Sequence, residues 1–242
     1  MLFRSVLRAV KLAKSAQSQP SWHSLKPHER ARYLYAIADG IEANIDRISQ
    51  IQTRDTGKTL RETAILASSA SGTFRYFGAL LESSDDLLTA QRNDSLTMSV
   101  YEPLGLVSAI TPWNSPIASD AQKIAPALAA GNAVLLKPSS WSPLVSLELA
   151  KLVESSGLPK GLFSVLPGSG EEVGNLLVEH PDISKVTFTG STKTGRSLAI
   201  KAAKKLMPIS LELGGKSPVI VFKDSDIDIA IAGVMFGIFS ST

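Results

Sequence analysis

From Leu104 onward one texture repeats: a short apolar run, a turn marked by Gly or Pro, then a helical stretch. The runs are LGLVSAI (104–110), AVLL (133–136), FSVL (163–166) and VTFT (186–189). Between them, 117–130 reads as a helix closed by Gly131. A further helix takes Ser142 as N-cap and Pro143 in its first turn, and stops at Gly157. Strands alternating with helices of roughly ten to fifteen residues imply βαβ units, hence an α/β fold with a parallel sheet. Right-handed crossovers then put the turns after the strands on one edge, where such sheets bind ligands.

The first third reads helical instead. Ile37, Ile41, Ile45 and Ile48 mark one face, with Glu29, Arg32, Asp39, Glu42 and Arg47 on others. A second helical stretch covers 60–81, with aromatics at Phe74 and Phe77. Across 83–94 the pattern dissolves into acids and polar residues. LTMSVYEP (96–103) then alternates as a strand with one wet face would. The opening MLFRSVLRAVKLAKSAQSQ is basic and acid-free, as a transit peptide is. Val6, Val10 and Ala13 at helical steps instead describe a surface helix, and that is the preferred reading.

Composition narrows the chemistry. Hydrophobic residues make up 44% and charged residues 19% of 242 positions, which is globular rather than disordered. Lys and Arg total 25 against 22 for Asp and Glu, with no basic block interleaved with aromatics, so no nucleic-acid partner is expected. The chain has no cysteine, so these residues supply no disulfide, thiolate metal site or cysteine nucleophile. His23, His28 and His180 lack ligand-like spacing, and no metal is expected. No apolar run is long enough to span a bilayer, so the expectation is a cytoplasmic protein without a membrane partner.

Several motifs need weighing. GKT (57–59) lacks the earlier glycine of a phosphate loop, since Gln52 stands there, and it follows a helix. DSDID (224–228) has Ile229 where a calcium loop requires glycine, and an acid-rich helix start explains it better. PGSGEEVG carries Gly168, Gly170 and Gly174, while TGSTKTG carries Gly190 and Gly195 with Ser191 between. Neither fits the dinucleotide fingerprint, yet each opens a helix after a strand, where free N–H groups favour an anion. In TPWNSP (111–116), Asn114 could aim its amide at an oxyanion, or form an Asx turn with Trp113 as a core aromatic. Lys137 ends a buried strand before Pro138 and suits either a ribose or phosphate contact or a solvated strand end. In LELGGKSP (211–218), Glu212 is either a strand residue facing solvent or a base at the mouth of a site.

Taken in order, TPWN, LLKPSS, FTGSTKTG and LELGGKSP resemble the aldehyde dehydrogenase superfamily. The resemblance runs from about Ala9 and is densest from Tyr101 to Pro218. It implies a Rossmann-like sheet with an N-terminal helical segment. Residues 1–84 and 104–213 would form an NAD(P)-binding domain, and 85–103 would belong to an oligomerisation arm. Residues 214–242 would begin a catalytic domain that is mostly missing. It implies an aldehyde substrate and a homodimer or homotetramer when full-length. By the same resemblance Asn114 stabilises the oxyanion formed when a cysteine thiolate attacks the aldehyde, and Glu212 activates water to hydrolyse the thioester. Ile110, Thr111, Pro112, Trp113, Lys137, Ser139, Ser140, Gly170, Gly174, Phe188, Gly190, Ser191, Thr194, Leu213 and Gly214 would bind NAD or NADP.

There are two departures. Ser140 stands where a ribose-binding glutamate is common, which removes repulsion against a 2′-phosphate and makes NADP acceptance an expectation. The nucleophilic cysteine is absent; the expectation is truncation a few residues before it, leaving a chain unable to turn over alone. The alternatives are a non-catalytic nucleotide-binding module of the same fold and an acyl-phosphate reductase, against which Glu212 argues.

Overall fold

The computed structural model describes residues 2–240. The chain opens with α1 (Leu2–Gln17), whose Val6, Val10 and Ala13 are buried, so this helix is packed rather than loose. There follow α2 (Pro20–His23), α3 (Pro27–Glu42), α4 (Ile45–Thr56) and α5 (Leu60–Ser83). The isoleucine stripe read as one face is divided between two helices. Asn44 Nδ2 donates to the Gly40 carbonyl at 2.8 Å, and this side-chain bond to local backbone accompanies the break between α3 and α4. Ile37 and Ile41 from one and Ile48 from the other are still fully buried. GKT is a hinge between helices. Gly57, at φ 78°, closes α4, and Thr59 caps α5 through the Glu62 amide.

The polar stretch read as unstructured contains β1 (Leu87–Arg92), paired antiparallel with β2 (Ser95–Ser99). Backbone pairing forms this hairpin without burial, and β2 is exposed on both faces rather than one. Leu87, Leu88, Leu96 and Met98 are left open to solvent.

The remaining strands are β3 (Leu106–Ile110), β4 (Ala133–Lys137), β5 (Phe163–Val165), β6 (Ile183–Gly190) and β7 (Ile209–Leu213). They form one parallel sheet in the order β5-β4-β3-β6-β7. Interleaved are α6 (Pro116–Ala129), α7 (Leu144–Ser155), a π turn Gly170–Gly174 leading into α8 (Asn175–Glu179), and α9 (Thr192–Ala203). α6 packs on β3 and β4 and α7 on β5, with α3, α4 and α5 against these two helices; α1, α8 and α9 contact the sheet as well. β3 and β4 are buried along their whole length, as their mostly apolar runs require, with Ser108 and Lys137 as the polar residues they carry inside. Full burial of such side chains contributes about 1.5–3 kcal/mol each, so the centre of the sheet anchors the fold.

The start of α7 differs from expectation. Leu144 is its first residue and Pro143 occupies the N-cap position. The Leu144 N–H donates to Asp55 Oδ2 at 2.8 Å, while Ser142 Oγ donates to the Trp113 carbonyl at 3.0 Å. A carboxylate from α4 thus supplies the cap, which releases Ser142 to hold another loop. Beyond β7 the chain runs without regular structure to α10 (Ile227–Phe239), whose apolar residues are exposed. Asp226 caps α10 by accepting from the Ile229 N–H at 3.0 Å, so the acidic run is a helix start.

Candidate cofactor and catalytic cleft

Sheet order decides where a site can lie. From β3 the chain steps outward to β4 and β5, then returns to lay β6 on the other side of β3 and β7 beyond it. The carboxyl ends of β3 and β6 therefore flank a topological switch point, where open α/β sheets bind ligands. A cleft of about 1050 Å³ opens there, at the upper end of the usual range for small-molecule sites. Pro112, Trp113, Asn114, Gly190, Ser191, Thr194, Glu212, Leu213 and Gly214 all line it, so nine of the residues singled out in the sequence meet in one place.

The loop after β3 is pinned at several points. The Thr111 N–H donates to the Lys137 carbonyl at 3.2 Å. The Trp113 carbonyl accepts from Ser142. The Ile117 N–H, just inside α6, donates to Gln52 Oε1 at 3.1 Å. Asn114 sits between these anchors and is not an internal core residue; Trp113 beside it is half-exposed. Glu212 pairs with Thr189 in the β6–β7 register and lies exposed at the cleft wall.

Ser191 caps α9 by accepting from the Thr194 N–H at 3.2 Å, and its hydroxyl also meets Thr194 Oγ1 at 2.9 Å. Gly190 before it has no room for a side chain, since a Cβ would lie 2.5 Å from Phe188 Cζ. Phe188 is buried and acts on the cleft by crowding this turn.

The other candidates form a neighbouring group or stand behind the wall. Lys137 is buried, and its ammonium donates to the Pro138 carbonyl and, at 3.2 Å, to that of Gly168. Burial pulls its pKa below the usual lysine value. Ser140 Oγ donates to the same Gly168 carbonyl at 3.0 Å, and Ser139 Oγ accepts from the Trp141 N–H at 3.1 Å. Gly174 passes the Lys137 stem, 3.6 Å from where its Cβ would be, and Gly170 opens the π turn with free space around it. Ile110 and Thr111 are buried at the end of β3.

Sequence reading missed Gln122, Lys123, Trp141, Thr187, Thr189 and Ser210, which complete the cleft. Lys123 matters most. It is 7% exposed, and its Nζ donates to Thr187 Oγ1 at 3.1 Å. Burial lowers its pKa, while the charges of Glu212 and then Asp120 oppose that fall. The available signal was a lysine inside an apolar, alanine-rich helix, one turn after an aspartate.

Against this geometry the comparisons agree. The model of the aldehyde dehydrogenase family matches residues 4–242. The chain is 39% identical over 238 residues to the (Z)-2-((N-methylformamido)methylene)-5-hydroxybutyrolactone dehydrogenase of Acinetobacter baylyi, covering 98% of this chain and 49% of that protein. Among solved structures, an NAD+ complex of an aldehyde dehydrogenase from Bacillus cereus superposes with TM-score 0.97 at 35% identity, covering 99% of this chain and 49% of that one. A betaine aldehyde dehydrogenase from Staphylococcus aureus in complex with NAD+ gives TM-score 0.92 at 35% identity, over 96% of this chain and 47% of that one. The chain thus spans about half the length of these relatives. With a family match over nearly all of its length, the chain belongs to the aldehyde dehydrogenase family.

Proposed function

We propose that the protein of which this chain forms part oxidises an aldehyde to a carboxylic acid with NAD or NADP. The observation that carries this reading is convergence on one cleft of Asn114 from the β3 loop, Glu212 from β7, and Ser191 with the start of α9. In this reading residues 1–84 and 104–213 are the nucleotide-binding domain, 85–103 belong to an oligomerisation arm, and 214–242 begin a catalytic domain. The open β1–β2 hairpin with its uncovered leucines suits pairing with another copy, as a homodimer or homotetramer in the cytoplasm. Among the described residues no helix is long and apolar enough to cross a membrane.

The nicotinamide nucleotide, when bound, supplies the hydride acceptor. The residues present fit such a group. A helix start with free N–H groups faces the cleft beside a glycine that no larger residue could replace without moving Phe188. Ser191, Thr194 and Gly190 would hold the pyrophosphate. Lys137, Ser139, Ser140, Gly170 and Gly174 would hold the adenosine side, with Ile110, Thr111, Pro112, Trp113, Phe188, Leu213 and Gly214 shaping the walls. Asn114 donates its amide N–H to the oxyanion that develops on the substrate carbonyl. Glu212 takes the proton from the water that releases the acid. The chain contains no cysteine, so the thiolate is not among its residues.

The test uses the complete protein with an aldehyde panel, following reduced nicotinamide by absorbance. Reduction with either nucleotide supports the reading; none with any aldehyde by a folded oligomer refutes it. Ser140, with a neutral hydroxyl where an acid would repel a 2′-phosphate, supports NADP acceptance. Equal or tighter binding of NAD than NADP to the complete protein would overturn that part.

A further inference from the structure

Two loops at the cleft are tied down from outside the sheet, by one face of α4. Ser115 at the start of α6 makes no side-chain cap, and Pro116 has no N–H to offer. The first N–H of that helix therefore belongs to Ile117, and it donates to Gln52 Oε1 at 3.1 Å. Gln52 is 0% exposed, and its Nε2 has no hydrogen-bond partner among the described residues. Leaving amide N–H groups buried and unpaired is costly, so this side chain is kept for its oxygen. Asp55, one turn further along α4, serves α7 in the same way through the Leu144 N–H. Between the two helix starts, the Ser142 hydroxyl ties the second loop to the Trp113 carbonyl of the first.

We propose that Gln52 is a positioning residue for Asn114. Asn114 lies three positions before Ile117, and its amide meets an oxyanion only if the short loop between β3 and α6 keeps one conformation. The Thr111 N–H, bonded to the Lys137 carbonyl, fixes the entry of that loop, and Ser142 fixes its middle. Gln52 fixes its exit. Serine is a residue type that caps helices locally, yet Ser115 adopts φ −146°, ψ 59° and does not. Handing the cap to Gln52 lets residue 115 depart from capping geometry without leaving the Ile117 N–H unsatisfied. The loop that carries Asn114 is thus held to α4, a helix that supplies nothing to the reaction itself.

This inference rests on the proposed oxidation and on the role of Asn114 within it, and the experiment separates the two. It uses the complete protein. In Gln52→Ala the rate of nucleotide reduction in the first turnover is expected to fall about 10–100-fold. The dissociation constant for NAD(P) is expected to stay as it is, because Gly190, Ser191 and Thr194 are untouched. Gln52→Glu keeps an oxygen for the Ile117 N–H and is expected to restore most of the rate. In an Asn114→Ala background the same Gln52→Ala change is expected to cost little more, since the group it aims is gone. A second measurement needs no turnover. Hydrogen exchange of the segment 113–119 is expected to quicken roughly tenfold in Gln52→Ala, while exchange at the start of α9 does not change. If Gln52→Ala does not fold, Gln52→Met fills the space without an acceptor. A full rate in the folded variant, equal losses with and without Asn114, or unchanged exchange overturns the proposal. If the wild-type protein oxidises no aldehyde, the oxidation reading fails, and hydrogen exchange still decides whether Gln52 holds the loop.

Discussion

Replacing Asp120 by Asn removes a charge from the fully buried interior of the α6–α7 contact while preserving the side chain's outline. The carboxyl titrates near 3.8 in a free chain and near 6 in the folded one, chiefly because burial disfavours the anion and only secondarily because Ser146, Thr111 and Lys123 favour it. A raised folded-state pKa means that the folded chain holds this proton more tightly than the unfolded chain. The contribution of Asp120 is thus most favourable below about pH 4 and is lost as pH rises through about 6. Two units correspond to about 3 kcal/mol of stability surrendered at neutral pH. The amide does not titrate, so the stability of Asp120→Asn minus that of wild type should climb by about 3 kcal/mol between pH 3 and pH 7, then level off. Urea unfolding followed by tryptophan fluorescence at a series of pH values measures this, with buried Trp22 as a probe. Glu148, Glu179 and Asp182, whose pKa values their basic partners lower, titrate in both proteins and cancel in the difference. A difference that is flat across the window, or that falls, would refute the claim that burial dominates at this carboxyl.

Gly190→Ala would drive a methyl to 2.5 Å from the Phe188 ring; the forced shift should cost about 1–3 kcal/mol in urea unfolding and weaken NAD(P) binding in a fluorescence titration. Ser191→Ala removes the acceptor for the Thr194 N–H and should cost about 1 kcal/mol in the same denaturation assay. Trp22→Phe leaves the Gly131 carbonyl without its 2.8 Å indole donor and should cost about 1–3 kcal/mol, measured by urea unfolding followed by far-ultraviolet circular dichroism because the variant lacks the Trp22 probe. In the complete protein, Glu212→Gln should slow acid release by about 10²–10⁴-fold while leaving the first burst of reduced nicotinamide in stopped flow. Equal loss of both would deny Glu212 the role of base for the hydrolytic step.

The sheet was legible because β3 and β4 bury both faces and so are written as mostly apolar runs. β3 and β4 fall where LGLVSAI and AVLL predict them. The hairpin strand β1 was not legible for the opposite reason: Leu87, Leu88, Thr89 and Arg92 are exposed, and backbone pairing defines the strand. The division of the isoleucine stripe between α3 and α4 escaped because a 3.6-residue period survives a two-residue turn that keeps both segments on the same core. Ser142 was read as a cap because its place before Pro143 allows one. That reading could not include Asp55, 89 positions away in sequence, which makes the Leu144 bond instead.

The site divides along the same line. Its turn residues declared themselves locally, since a glycine or a capping serine after a strand has few other uses, and they do meet at the switch point. The wall between them did not. Thr187, Thr189 and Ser210 occupy alternate positions on β6 and β7, and only the sheet register turns that alternation toward α6. Lys123 reads in one dimension as a solvated charge on an amphipathic helix. What makes it part of a site is that β6 and β7 leave the neighbouring surface uncovered, with Glu212 facing it and Asp120 locked beneath it. A buried lysine is costly unless its ammonium finds a partner, and here it donates to Thr187 at 3.1 Å while the charges of Glu212 and then Asp120 favour its charged form. Lys123 is therefore better read as part of the cleft wall, tied to Thr187 across the sheet, than as an isolated polar residue of α6.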